Sequence, residues 1–376
     1  MRPQRSLRHW LQQLLPAPPP QPGEPHGGRP PGSHTCAQQA AGQLLRALML
    51  GFTTHLSQLA RQFDRAGAVD RAKSGRQQLT RWLDRPHWEP EQLYGRLNRL
   101  TRRVLQSLRR QGVVPLLIDA TTLADGWLVL QVSIPWQGRA LPLYRAVTQY
   151  QEPEETLPEL VGRTLVWLRR NLPGPRSQYV VVMDRGFPSH PLITRLQQEG
   201  WRFVVRVKGN WKLTHPDYIG LVRALPAAWV GPTPHLWEHG VLGQPGRHGR
   251  YSQAYLVSYH GLGNDEPWFL LTNQADARWA VGVYRQRMRI EGEFRDLKGP
   301  LGLDHLATWT DRDRVARFLA WMAVYEWRLA YLWWFQQLHQ YAERIRVKGE
   351  LSWIRTVREW LLDQARSTIP LTDSRL

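Results

Sequence analysis

The sequence predicts a mixed α/β sheet with helical regions on both sides of it in the chain. Short hydrophobic runs of strand length follow one another in the middle of the chain, between Val113 and Val207. Before and after this part, apolar residues recur three and four positions apart, which is the period of an amphipathic helix. Because the first three runs are adjacent and a helical stretch precedes the fourth, we expect a mixed sheet whose first strands are antiparallel.

The N-terminal 35 residues are unlike the rest of the chain. A short basic amphipathic stretch from Ser6 to Leu15 precedes a Pro/Gly-rich tract from Pro16 to Gly32. Such a tract cannot form a core, so residues 1–35 are predicted to be a flexible segment. No apolar signal-peptide region follows the first basic residues.

The balance of charges indicates a polyanionic partner. The chain has 50 Lys and Arg against 31 Asp and Glu, a formal net charge of +19. This excess favours nucleic acid as the partner, with an anionic membrane surface as the weaker option. The remaining alternative is a soluble protein of high pI whose charge serves no particular partner. Cys36 is the only cysteine, so a disulfide framework is excluded and a reducing cytoplasm is expected.

Residues 36–112 have helical periodicity and are predicted to form a helical DNA-binding domain. Basic residues crowd around its third helix: Arg71, Lys73, Arg76, Arg81 and Arg85. A small helical domain with a basic helix is typical of DNA-binding modules, and we expect Arg76 and Arg81 to contact DNA. The alternative is a solvated basic face on a structural bundle.

Residues 113–300 are predicted to form the α/β domain. Its expected strands are Val113–Ile118, Trp127–Ile134, Ala140–Thr148, Tyr179–Met183 and Phe203–Val207. Residues 209–273 are rich in Pro, Gly, Trp and His and are predicted to be a β-rich insertion. Residues 301–376 are predicted to be helical. The apolar run from Phe318 to Phe335 is interrupted by Glu326 and Arg328, so it should be a buried helix and not a membrane span.

The stretch from Tyr284 to Lys298 is predicted to be one continuous helix with an unusual flank. At about 100° per residue, Tyr284, Arg287, Glu291 and Lys298 fall within an arc of roughly 60°. Glu293 lies about 160–180° from Tyr284 and Glu291, so it should face away. The flank therefore holds a phenol, two cations and one carboxylate together.

Two aspartates follow buried hydrophobic strands. Asp119 comes after Leu116-Leu117-Ile118, and Asp184 comes directly after Met183. Taken singly, each is as readily explained as a turn cap. With Glu291 they form a set of three carboxylates, which suits two Mg²⁺ ions about 3.5–4 Å apart in phosphodiester chemistry. Asp119 is the expected bridging ligand, while Arg287, Lys298 and Tyr284 are expected to hold DNA.

At this point the sequence resembles a known family. The pattern Tyr284-x2-Arg287-x3-Glu291-x6-Lys298 is similar to the Tyr-Arg-Glu-Lys signature of bacterial insertion-sequence DDE transposases of the IS-four group. Asp119 and Asp184 resemble the two catalytic aspartates of that family, and the resemblance runs from about residue 40 to residue 338. It implies a ribonuclease-H-like catalytic core with a β-rich insertion, flanked by helical regions, and dependence on two Mg²⁺ ions, with Mn²⁺ as a possible substitute.

The resemblance also implies an activity and partners. The enzyme would cleave transposon ends and join the freed 3′-OH to target DNA in cut-and-paste transposition. Its partners would be double-stranded terminal inverted repeats and target DNA, bound by a homodimer in the bacterial cytoplasm, at the nucleoid and not at a membrane. A tryptophan of the insertion, Trp268 or Trp237, would stack on a flipped base; Trp268 is the preferred candidate.

Two other functions remain open from the residues alone. A metal-dependent nuclease would cut DNA without joining it. A catalytically silent, transposase-derived repressor would only bind DNA. No Gly-rich phosphate loop, Gly-x-Ser-x-Gly elbow or His-Glu-x-x-His zinc pair occurs in the sequence.

Overall fold

A mixed eight-stranded sheet forms the centre of the protein, whose structure is a computed structural model. The structure describes residues 7–15, 32–51, 55, 58–61, 72–84, 89–151, 153–238, 240–243, 250–251, 254–299, 301–335, 338 and 353–368. The Pro/Gly-rich tract of the predicted flexible segment, residues 16–31, lies outside these ranges.

The first five strands form the part of the sheet that was predicted from the hydrophobic runs. They are β1 (Val114–Leu123), β2 (Trp127–Trp136), β3 (Arg139–Gln149), β4 (Tyr179–Met183) and β5 (Arg202–Arg206). Strands β1 to β3 are antiparallel neighbours, whereas β4 and β5 run parallel to β1, in the spatial order β3-β2-β1-β4-β5. The predicted mixed sheet is confirmed, and its order is consistent with a ribonuclease-H-like core.

Strand β1 is longer than its hydrophobic run. Its pairing with β4 ends at Ile118, opposite Met183, but its pairing with β2 continues to Leu123. Asp119 therefore does not end a strand, as the sequence suggested; it lies where β1 continues beyond the end of β4. The hairpin with β2 holds this polar half of the strand in place, which a hydrophobic pattern cannot reveal.

The predicted insertion at residues 209–273 contributes to two sheets. A separate antiparallel sheet contains β6 (Lys212–His215), β7 (Tyr218–Leu221), β9 (Val241–Gly243) and β10 (Arg250–Tyr251). The remaining strands, β8 (His235–Trp237), β11 (Tyr255–Tyr259) and β12 (Trp268–Thr272), extend the main sheet beyond β5. Strand β12 pairs antiparallel with β5, so the β-rich segment is partly continuous with the core sheet.

Helices surround the sheet. Those before the sheet are α1 (Leu7–Leu14), α2 (Gly32–Gly51), α3 (Ala72–Leu83), α4 (Pro90–Leu100) and α5 (Arg102–Gln111). The others are α6 (Leu157–Asn171), α7 (His190–Gln198), α8 (Ala277–Arg285), α9 (Met288–Lys298), α10 (Arg312–Phe335) and α11 (Trp353–Thr368). The long helix α10 packs on β3 and against α2, α3 and α4. No helix in the described ranges is long and apolar enough to cross a membrane.

The expected continuous helix from Tyr284 to Lys298 is wrong in one detail. Helix α8 ends at Arg285 and α9 begins at Met288. Between them the backbone stays right-handed, but Arg287 N–H donates to Tyr284 O and Ile290 N–H donates to Arg287 O, which are bonds of 3₁₀ type. This tighter turn changes the direction of Arg287 relative to a regular helix.

Candidate active site

Three carboxylates from separate elements meet around one guanidinium. Arg287 Nη1 lies 2.9 Å from Asp119 Oδ2, and its Nη2 lies 3.7 Å from Asp184 Oδ2 and also contacts Glu291 Oε1. Arg287 is 7% exposed, whereas the Glu291 side chain is 38% exposed. Strand β1, the end of β4 and helix α9 thus build one site, called here the carboxylate cluster (Asp119, Asp184 and Glu291).

Tyr284 belongs to this site through its hydroxyl group. Its O–H donates to Asp184 Oδ1 over 2.8 Å. The ring is 2% exposed and lies edge-on to Trp268, with ring centroids 4.9 Å apart. Burial and the neighbouring Asp184 raise the pKa of Tyr284, so the phenol stays a donor. Tyr284 therefore orients Asp184, and a contact of Tyr284 with DNA stays a prediction.

The pKa values of the two aspartates are shifted in opposite directions. Burial raises the pKa of Asp119 to about 6, although Arg287 and the Ala120 N–H favour its charged form. Burial also acts against the charge of Asp184, but Arg287, a backbone N–H and the Tyr284 hydroxyl outweigh it and lower the pKa of Asp184. Asp184 is therefore ionised at neutral pH, and Asp119 loses its proton just below it.

Arg206, at the end of β5, is a charged neighbour that the sequence reasoning missed. Its Nη1 lies 4.0 Å from Asp184 Oδ1, and its Nη2 lies 2.9 Å from Glu266. Glu266 also pairs with Arg185, which follows Asp184. The sequence could have indicated Arg206, because it ends the strand after Asp184 and the ends of neighbouring parallel strands meet at one edge of a sheet.

A buried charge network (Arg145, Glu293 and Glu326) lies behind the carboxylate cluster. Arg145 Nη2 is 3.1 Å from Glu293 of α9 and 2.8 Å from Glu326 of α10, and all three side chains are 0–2% exposed. Burial and Glu326 raise the pKa of Glu293 well above its usual value, with Arg145 opposing. Glu293 faces away from Glu291, as its position on the helix predicted, and its partners lie too far along the chain for periodicity to show.

The other predicted site residues lie apart from the carboxylate cluster. Lys298 is at the C-terminal end of α9, about 10 Å along the helix axis from Glu291. Arg76 and Arg81 are exposed on α3. Trp268 is 9% exposed and packs on Tyr284, while Trp237 is 1% exposed. The structure brings none of these five into contact with the cluster except Trp268, through Tyr284.

The cluster has the right donors for a divalent cation but holds a guanidinium. Three carboxylates supply the oxygen ligands that Mg²⁺ prefers. Among the residues described, no three acidic, histidine or cysteine side chains are spaced to share a metal ion. In the cluster, Arg287 contacts all three carboxylates. Binding a cation there would require these side chains to release Arg287.

One family model matches the part of the chain that contains most of the site. Residues 156–327 match the family model of the transposase DDE domain. The matched segment contains Asp184, Tyr284, Arg287 and Glu291, whereas Asp119 precedes it. The match supports a DDE transposase domain.

A comparison with solved structures finds the cryo-EM structure of piggyBac transposase synaptic complex with hairpin DNA. The chain is 12% identical to it, with a TM-score of 0.42, covering 89% of this chain and 73% of that one. No curated protein sequence matches the chain.

Proposed function

We propose that the chain is a DDE transposase that cleaves transposon ends and joins the 3′-OH to target DNA. The observation that carries the proposal is the convergence of Asp119, Asp184 and Glu291 on Arg287. The match to the transposase DDE domain supports it, as does the net charge of +19. The Tyr-Arg-Glu-Lys pattern supports membership of the IS-four group and, with it, a bacterial origin.

In this proposal Asp119, Asp184 and Glu291 would hold two Mg²⁺ ions, and Asp119 would be a ligand of both. When bound, the ions would supply Lewis-acid stabilisation of the charge that develops on the phosphodiester. Tyr284 keeps Asp184 oriented by its 2.8 Å hydrogen bond. Arg287, freed from the carboxylates, is then placed to bind a phosphate of the cleaved strand, because a guanidinium can donate two parallel hydrogen bonds to it.

The DNA partner in this proposal is double-stranded, namely the terminal inverted repeats and the target. Lys298 would hold the same strand as Arg287, and the exposed Arg76 and Arg81 of α3 would contact DNA outside the site. We place the protein at the bacterial nucleoid, as a homodimer on paired ends.

Arg287→Ala should weaken binding of the cleaved end and lower the slope of log affinity against log salt by about 1. An unchanged slope would argue for a structural role.

Cleavage of the element's own ends tests the proposal. The substrate is a duplex with the inverted repeats that flank the reading frame, and the variants are Asp119→Ala, Asp184→Ala and Glu291→Ala. Each should abolish Mg²⁺-dependent cleavage while leaving end binding, measured by mobility shift, largely intact. Full cleavage by any one of them would overturn the assignment. Glu155→Ala, which removes a carboxylate that pairs with Arg163 outside the cluster, is the control and should retain cleavage.

Two further measurements separate the alternatives. Pre-cleaved ends incubated with target DNA should be joined; a nuclease would leave them unjoined. Titration of Mg²⁺ by calorimetry should show binding that Asp119→Ala removes. A repressor would bind the ends with no metal binding at the cluster.

A further inference from the structure

A cavity of about 480 Å³ is lined by residues of the α8–α9 segment that do not belong to the carboxylate cluster. Its other walls come from the end of α5, the first residues of β1 and Pro135 of β2. Pro115 of β1 lines it, four residues or about 13 Å before Asp119. The cavity is therefore separate from the cluster but built on the same strand and the same helices.

Arg289 lines this cavity and has no acidic partner. Its guanidinium makes no hydrogen bond or salt bridge to any residue that the structure describes. The neighbouring Arg287, by contrast, contacts three carboxylates, and Arg139 lies 2.9 Å from Asp296. A half-buried cation without a counter-charge is unfavourable, so an anion entering the cavity would be stabilised.

The other polar groups of the cavity suit a heterocycle more than a bare anion. The partly exposed indole of Trp279 forms one wall, and Gln111 and Gln286 each bring an amide. An amide offers donors and an acceptor to the edge of a base, and an aromatic ring offers a stacking face. The volume falls within the range of about 300–1,000 Å³ that is typical of small-molecule sites and is too small for a duplex.

We propose that this cavity binds one nucleoside monophosphate unit, with its phosphate on Arg289 and its base against Trp279. The unit is either a free nucleotide or one nucleotide of a DNA strand. The second source rests on the proposed function, whereas the first does not.

Calorimetry on the full chain, in EDTA and low salt, tests the proposal with deoxynucleoside monophosphates and inorganic phosphate as probes. Arg289→Gln should weaken nucleotide binding about tenfold or more, since a charged hydrogen bond is lost. Arg295→Gln is the matched control, because Arg295 is exposed on the same helix and outside the cavity; it should change binding less than about twofold. Trp279→Leu should weaken the binding of nucleotides but not the binding of inorganic phosphate.

Equal losses of nucleotide affinity in Arg289→Gln and Arg295→Gln would overturn the assignment of this site. So would equal affinity for nucleotides and inorganic phosphate, because the base would then contribute nothing. Thermal unfolding of each variant shows that it is folded, and Arg289→Lys, which keeps the charge, should retain most of the binding.

Short oligonucleotides are the probes of a second experiment. If Arg289→Gln weakens binding of oligonucleotides, the site is assigned to DNA. If it weakens binding of free nucleotides alone, the site is assigned to a soluble ligand. Because EDTA removes divalent metal, these results do not depend on whether the carboxylate cluster cleaves DNA.

Discussion

Asp119 of β1 and Arg145 of β3 lie in one row of paired residues, with Gln131 of β2 between them. Directly opposite residues of adjacent strands place their side chains on the same face of a sheet. Arg145 in turn holds Glu293, two residues after Glu291 on α9. Helix α9 therefore packs over one face of the sheet that presents both Asp119 and Arg145, and it brings Glu291 towards the first and Glu293 to the second.

The buried charge network should respond unequally to loss of its members. Arg145→Met leaves Glu293 and Glu326 buried without a cation and should lower the free energy of unfolding by about 3–5 kcal/mol. Glu293→Gln should cost much less, about 1 kcal/mol, because burial and Glu326 raise the pKa of Glu293 and disfavour its charge, while the amide can still accept a hydrogen bond from Arg145. Urea unfolding measures both. Similar losses in the two variants would contradict this difference.

Asp119 should make stability depend on pH in the metal-free protein. Its pKa is about 6 in the folded chain, against an ordinary value of 3.8 that the unfolded chain retains, so the folded chain binds more protons between these values. The contribution of Asp119 to stability therefore falls as pH rises from about 4 to 6 and stays low above that. Asp119→Asn removes this dependence, so the variant should gain about 2–3 kcal/mol relative to the native chain over that window. Thermal unfolding in EDTA at pH 4–7 measures the difference; a constant gap would contradict the raised pKa.

Arg287 should compete with divalent cations for the carboxylate cluster. In Arg287→Gln the three carboxylates lose their counter-charge, so the metal-free protein should be less stable than the native chain. Added Mg²⁺ should then raise the melting temperature of the variant more than that of the native chain, because no guanidinium has to be displaced. Arg163→Gln, which loses an exposed pair with Glu155, is the control and should respond as the native chain does. An equal Mg²⁺ response in Arg287→Gln would show that Arg287 and the metal do not compete.

Trp268 allows a direct test between packing and base stacking. Its ring is 9% exposed and lies against Tyr284, so Trp268→Phe should lower the free energy of unfolding by about 1–3 kcal/mol through lost volume. DNA affinity of the folded variant should be unchanged, as judged by fluorescence anisotropy. Weaker DNA binding with unchanged stability would instead favour the stacking role.

The sequence was sufficient for the strands of the core and for the candidate carboxylates. Hydrophobic runs located β1 to β5, since buried strands of a sheet need continuous apolar residues. The period of the α8–α9 segment put Tyr284, Arg287 and Glu291 on one side and Glu293 on the other. These features are local, and a local pattern is enough to detect them.

What the sequence did not reveal depends on contacts between distant residues. Arg287 meets Asp119 across 168 positions, and Arg145 meets Glu293 across 148. Neither pairing produces a periodic pattern in the sequence. The 3₁₀ turn before Met288 was also missed, because it differs from a regular helix only in its hydrogen bonds. Strands β11 and β12 resembled parts of an insertion, and only pairing with β5 shows that they belong to the main sheet.

That pairing has a mechanical consequence. Strand β12 is hydrogen-bonded to β5, β5 to β4, and Asp184 directly follows β4. These continuous ladders connect β8, β11 and β12 to the rim that holds Asp184 without an intervening linker. We therefore expect this part of the β-rich segment and the rim to move together as one stiff unit.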